Sequence, residues 1–246
     1  TNPVLLQVAL PIGISFYTFH GMSYVFDIYR GNQKPVRNFI DYAVFVSFFP
    51  LLVAGPIERA NHLLPQVQKP RFFNYTQAVE GCRLILWGMF KKVVIADSLA
   101  VTVDEIFSNY HDHNGVTLIV GAIAFSFQIY GDFSGYSDIA LGTAKLFGFE
   151  LLSNFKFPYF SRDVAEFWRR WHISLSSWFR DYLYIPLGCL TTEITSGYLT
   201  LSLEWYSVVV ISCLSCLLMS LSTSGKKPVH VYGPLEICLA QLQTLA

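Results

Sequence analysis

His172, in the run WRRWHIS (Trp168 to Ser174), is the most chemically pointed arrangement in the chain. It sits within Phe157 to Leu187, FPYFSRDVAEFWRRWHISLSSWFRDYLYIPL, which holds three of the five tryptophans and four arginines between Pro158 and Pro186. An imidazole desolvated among indole rings has its charged form disfavoured, so it stays neutral and can take a proton from a hydroxyl as a general base. The same residues also fit a packed histidine bonded to a backbone carbonyl beside an ordinary basic face. Both readings stand on the residues alone.

A second set lies in YGDFSGYSDIALG, where Asp132, Ser134, Ser137 and Asp138 interrupt an apolar context together with Gly131 and Gly135. Polar groups at membrane depth face a cavity or bundle interior and are functional candidates. The alternative is a glycine-bearing helix packed closely on a neighbour, its serines bonded across the interface. His111 and His113 flank Asp112 in NYHDHNG, which could ligate a metal but reads better as a solvated loop, and no metal site is expected. Cys213 and Cys216 form a CxxC inside an apolar run with no second pair, which fits packing and not metal or redox chemistry.

Positioning His172 falls to a helix. Asp163 as N-cap and Glu166 three residues on make an acidic capping box, and the spacing predicts one helix from about Val164 to about Tyr182. On it, Trp168, Trp171, His172, Leu175, Trp178, Phe179 and Tyr182 share a third of the circumference. Arg169 and Arg180 share a second face, and Arg170 and Asp181 a third.

Composition sets the solvent. Hydrophobic residues make up 53% of the 246-residue chain, aromatics 16%, charged residues 14%, and mean hydropathy is +0.42. Soluble domains carry about a quarter charged residues, so a bilayer protein is expected. The zero net charge gives no electrostatic footprint for nucleic acid. Apolar stretches run from Val4 to Phe26, broken by Pro11 and Gly13, and from Phe39 to Ile57, ending in AGPIER (Ala54 to Arg59). Pro65 to Arg71 reads as a surface loop. Ala78 to Ala100 carries Glu80, Arg83, Lys91, Lys92 and Asp97 and reads as two shorter or interfacial helices. Val116 to Tyr130 and Trp205 to Ser224 are uncharged spans, the latter followed by Lys226 and Lys227. With the arginine-rich helix on the same cytoplasmic side, the positive-inside rule is obeyed. The chain starts at Thr1 inside an apolar segment with no positively charged leader, which is read as an internal fragment lacking earlier spans.

The run QIYGDFSGYSDIALGTAKLFGFELLSNFKFPYFSRDVAEFWRRWHISLSSWFRDYLYIPLG (Gln128 to Gly188) resembles the membrane-bound O-acyltransferase (MBOAT) family. PIGISFYTFHGMSYVFDIYRG (Pro11 to Gly31) and AGPIER resemble the bacterial branch that includes the alginate O-acetyltransferase membrane subunit. The resemblance implies an all-α, polytopic membrane helical bundle around a tunnel, incomplete here at both ends. Residues 1–188 would be a partial membrane core, and 189–246 a divergent C-terminal segment with one transmembrane helix.

The implied activity is transfer of an acyl group, foremost acetyl, from a thioester to hydroxyls of an exported polysaccharide. His172 matches the upstream of the family's two histidines. The downstream one, in a Trp-His-Gly context, has no counterpart here; His230 in KKPVHVYGP is not given its role. The expectation is therefore a truncated or frame-shifted reading, or a divergent last span, and the missing second histidine leaves both an active and an inactive chain open. Asp132, Ser134, Tyr136, Ser137, Asp138, Trp168, Trp171 and Ser174 are substrate or tunnel candidates. Arg169, Arg170 and Arg180 could meet the phosphates of acetyl-CoA or an acylated carrier protein, or anchor the positive-inside face. No bound cofactor is implied, only that co-substrate donor. Expected partners are membrane lipid and a polysaccharide acceptor or periplasmic acyltransferase, in a bacterial cytoplasmic (inner) membrane. The rivals are a non-catalytic membrane scaffold and a transporter fragment with Asp132 and Asp138 lining a path; no second copy of GDFSGYSD supports the latter.

Overall fold

The structure, a computed structural model, describes residues 14–52 and 55–186. Every regular element among them is helical. The expected span from Trp205 to Ser224, Cys213 and Cys216, His230 and the whole segment 189–246 lie outside the described residues.

The largest unit is a helical hairpin. α1 (Ile14–Tyr29), α2 (Phe39–Val46) and α3 (Ala60–Gln68) precede it. Its first arm is α4 (Tyr75–Met89), a π-helical segment (Phe90–Ala96) and α5 (Asp97–Ser108). The Asn74 side chain accepts from Thr76 N and Gln77 N to start that arm. Ala78 to Ala100 falls on two α-helices, α4 and α5, which the π segment joins into one rod by taking up an extra residue. The second arm is α6 (Gly115–Leu146), capped by Asn114 accepting from Thr117 N at 2.9 Å. Among the described residues α6 alone is long and apolar enough to cross a bilayer. The polar GDFSGYSD run does not interrupt it.

The two arms touch backbone to backbone. A Cβ added at Gly88 would lie 2.6 Å from the Gly135 carbonyl oxygen, and one at Gly142 would lie 2.5 Å from that of Gly81. Small residues let membrane helices approach this closely, where dispersion and not water exclusion drives association. The close-packed reading of the glycines is the one observed.

Two buried clusters flank the hairpin. Phe45, Phe48, Leu51, Ala60, Leu63, Leu64, Ala144 and Phe149 join α2 and α3 to the end of α6. Phe16, Phe19, Ile57, Leu175, Trp178 and Tyr182 join α1 to the chain's last described helix. Phe39 to Ile57 is not one span: α2 ends at Val46, and a 3₁₀ turn (Phe49–Leu51) around Pro50 redirects the chain. Nor is Pro65 to Arg71 a loop throughout, since α3 continues to Gln68 with Pro65 inside it.

The expected helix from Val164 to Tyr182 is broken. α7 (Val164–Arg170) ends at Trp171, α8 (Ile173–Phe179) begins after His172, and a π turn (Arg180–Tyr184) follows. The break scatters the expected aromatic face. Trp178 and Tyr182 turn to α1, with Trp178 edge-on to Phe19 at 4.8 Å. Trp171 stacks on Phe167 and meets Phe155 edge-on at 5.1 Å, and Trp168 meets Phe167 edge-on at 5.5 Å.

Candidate functional site

The corner bearing His172 is made by its neighbours. Asp163 caps α7 by accepting from Glu166 N at 2.6 Å, as the capping box requires. Glu166 reaches back one residue further than usual, to Arg162 N at 2.8 Å. Trp171 is then extended, and His172 takes a left-handed backbone, φ 43 and ψ 53. Histidine is one of the few non-glycine types enriched there, yet the conformation holds only where surroundings over-determine it.

Those surroundings are residues 154–156. Lys156 N donates to Arg170 O at 3.0 Å and Ile173 N to Asn154 O at 2.9 Å. Between these two rungs Trp171 and His172 bulge out opposite the single residue Phe155. The Asn154 side chain closes the arrangement: its Oδ1 accepts from the Ser174 hydroxyl at 2.6 Å, and its Nδ2 donates to Ser137 Oγ at 3.2 Å. Ser174 Oγ in turn accepts from Ile57 N at 2.9 Å. Asn154, Ser137 and Ser174 are all buried.

The imidazole of His172 meets the Phe133 ring edge-on at 4.8 Å. Its Nε2 is enclosed and has no hydrogen-bond partner within the described residues. The seven-residue helices on either side are too short to cross a bilayer. Burial alone pushes the His172 pKa down from 6.5 to about 3, so the ring is neutral at physiological pH. Such a ring can accept a proton, provided a hydroxyl reaches Nε2.

The next layer is the loop after Gly55. Glu58 is fully buried, its N donating to His20 Nε2 at 3.0 Å. One carboxylate oxygen accepts from Leu152 N at 2.5 Å, the other pairs with His62 Nδ1 at 2.7 Å. This loop thus ties α1, α3, the 150–152 segment and α8 together.

The remaining expected residues divide in two. Ser137 and Ser174 join the His172 corner through Asn154. Asp132, Ser134, Tyr136 and Asp138 instead engage lysines of the neighbouring arm. Lys91 Nζ lies 2.6 Å from Asp138 Oδ2 and 3.0 Å from Ser134 Oγ. Lys92 Nζ lies 2.7 Å from Asp132 and 2.6 Å from Asp97, over the Tyr136 ring. The arginines also separate: Arg170 pairs with Glu166, Arg180 pairs with Asp181 on an exposed flank, and Arg169 is exposed. The backbone and guanidinium donors of Arg162 hold the Glu166 carboxyl down at about 2.

His20, Glu58, His62 and Asn154 escape the sequence reading. His20 carried a usable signal, an ionisable residue inside an apolar helix. Glu58 stands in AGPIER, where it reads as a surface charge after a Gly-Pro break. Asn154 has no sequence signal, because its role depends on residues brought together by the fold.

The chain is similar to several known proteins. The profile of "MBOAT, membrane-bound O-acyltransferase family" matches residues 33–203. The probable alginate O-acetylase AlgI of Pseudomonas putida is 50% identical over 185 residues, 75% of this chain and 38% of that protein. The peptidoglycan O-acetyltransferase of Helicobacter pylori is 38% identical over 209 residues, covering 74% and 40%. The teichoic acid D-alanyltransferase of Bacillus subtilis is 29% identical over 185 residues, covering 71% and 45%. The chain thus spans between 38% and 45% of the length of these three relatives.

Proposed function

This chain belongs to the membrane-bound O-acyltransferase family, and from that membership we propose that the complete protein moves an acetyl group from a thioester to a hydroxyl of an exported polysaccharide. The acetyl group and the polymer are taken from the relatives' names, which include an alginate O-acetylase and a peptidoglycan O-acetyltransferase. The observation that carries the reading is the enclosed Nε2 of His172, which has no partner among the described residues and lies in aromatic surroundings.

The chemistry follows from that ring. Nε2 takes the proton of an acceptor hydroxyl as its oxygen attacks the thioester carbonyl. The tetrahedral oxyanion collapses, the C–S bond breaks, and the leaving thiolate recovers the proton from the imidazolium. A base so placed contributes about 10²- to 10⁴-fold, and holding donor and acceptor together supplies more. The exposed Arg169 and Arg180 are suited to phosphates of acetyl-CoA or a carrier protein at the membrane face. Arg170 is a weaker candidate, since it is less exposed than Arg180 and is paired with the buried Glu166. Asp132 and Asp138, each held by a lysine, serve this reading by fixing α6 beside the corner. In a bacterial inner membrane the acceptor would be the polymer itself or a periplasmic acyltransferase that passes the acetyl group on.

The test is the acetyl-ester content of exported polymer from cells carrying His172→Ala in the complete protein, at matched protein level. Loss of acetylation supports the reading; unchanged acetylation removes His172 from the reaction.

A further inference from the structure

The buried amide of Asn154 has no part in the chemistry above, yet three of its polar bonds among the described residues end on or beside the His172 corner. Its main-chain carbonyl receives Ile173 N, the first residue of α8. Its side-chain oxygen receives the hydroxyl of Ser174, one residue further on. Its side-chain nitrogen donates to Ser137, on α6 one turn beyond Phe133, the ring that His172 faces. A neutral amide that both accepts and donates is the side chain that can bridge two hydroxyls in this way. At 1% exposure it does so where water cannot substitute.

We propose that Asn154 is the positioning residue for His172: it locks the left-handed turn at the α7–α8 junction onto α6 and so sets the angle at which the imidazole meets its substrate. This rests on the reading of His172 as the base. Asn154 touches neither donor nor acceptor and acts only through the turn. Its loss removes the amide that links Ser174 to Ser137 and leaves the turn at His172, with φ 43, tied to residues 154–156 by the two main-chain bonds alone. The turn then relaxes, the ring swings from its place against Phe133, and solvent reaches Nε2.

The experiment uses membranes containing the complete parent protein and its native complex, with acetyl-CoA as donor probe and the host's exported polysaccharide as acceptor. Asn154→Ala is expected to lower kcat about 10- to 100-fold, as a small misplacement of a reacting group does, with KM for acetyl-CoA within about twofold. The acid limb of its rate–pH profile should move up toward the ordinary histidine value as the ring gains water; a merely structural loss would lower the amount of active enzyme without moving that limb. Wild-type kcat and profile in Asn154→Ala, alongside an inert His172→Gln, overturns the role of Asn154 and leaves the base assignment standing. Full transfer by His172→Gln overturns both. If Asn154→Ala does not accumulate, Ser174→Ala decides, because it removes one bond of the same lock. It must reproduce the lowered kcat and shifted limb, and wild-type behaviour there overturns the proposal.

Discussion

Lys91 and Asp138 meet at 2.6 Å across the interface between the two hairpin arms, with the Lys91 side chain only 9% exposed. A cation in the middle of an apolar helix is tolerated because its partner comes from the facing helix and Ser134 adds a further acceptor. Removing one partner strands the other. Lys91→Met is expected to destabilise the protein by about 3–5 kcal/mol, whereas Lys91→Met with Asp138→Leu should return close to the parent. Thermal unfolding in detergent micelles measures both.

His172→Gly separates the backbone of the corner from its chemistry. Glycine adopts positive φ without a Cβ penalty, so the turn should persist with a stability change of about 1 kcal/mol or less. Acyl transfer should fall by about 10² or more. Free imidazole added to the assay should restore part of it by filling the vacated space, and a rate that stays at the mutant level at saturating imidazole counts against the base role.

Gly135→Val tests the contact between the arms. A Cβ there would already stand 2.8 Å from the Gly88 carbonyl oxygen, and a backbone atom has nowhere to retreat. The arms must separate, which lengthens the Lys91–Asp138 and Lys92–Asp132 pairs as well. Overpacking of this kind costs about 1–3 kcal/mol. A lower melting temperature and reduced accumulation are expected, while Gly115→Val, where a Cβ meets open space, should leave both near the parent.

The His62–Glu58 pair makes stability depend on pH. Its hydrogen bond to Glu58 is the main cause raising the His62 pKa above 6.5 in the folded protein. The folded state therefore binds the proton more tightly than the unfolded one. The stabilisation is complete below 6.5 and is lost as pH rises through the folded value. Melting temperature should fall over that interval, and His62→Gln should flatten the fall. An unchanged slope in His62→Gln would assign it to another group.

Tyr182→Phe removes the hydroxyl that donates to Asp27 Oδ2 at 2.7 Å while keeping the ring over which Arg59 and Arg30 lie. Asp27 is buried and loses a partner, so about 1–3 kcal/mol of stability should go. Burial, reinforced by Asp27, pushes the Tyr182 phenol up to about 12. It therefore remains a donor across the physiological range, and the loss should not vary between neutral and mildly alkaline pH.

The helical class and the membrane character were legible in the sequence because each rests on local composition and spacing. The capping box at Asp163 and Glu166 was legible for the same reason. The break at Trp171–His172 was not. Helical periodicity runs straight through it, and its cause lies in residues 154–156, which pair with it only once the chain has folded back. Lys91 and Lys92 misled in the opposite sense: they read as an interruption because their counter-charges, Asp132 and Asp138, are supplied by another helix. Asn154 and Glu58 acquire meaning only from partners far along the chain, which no windowed pattern registers.

The Glu58 loop has a consequence for biosynthesis. Its amide at Ile57 and its carboxylate wait for Ser174 and Leu152, which leave the ribosome more than ninety positions later. Until then that loop holds unanswered polar groups, and closing such distant contacts is slow. A nascent chain halted before Ser174 would therefore be a natural target for quality-control proteases, and the corner that carries the imidazole can close only once those later partners have been made.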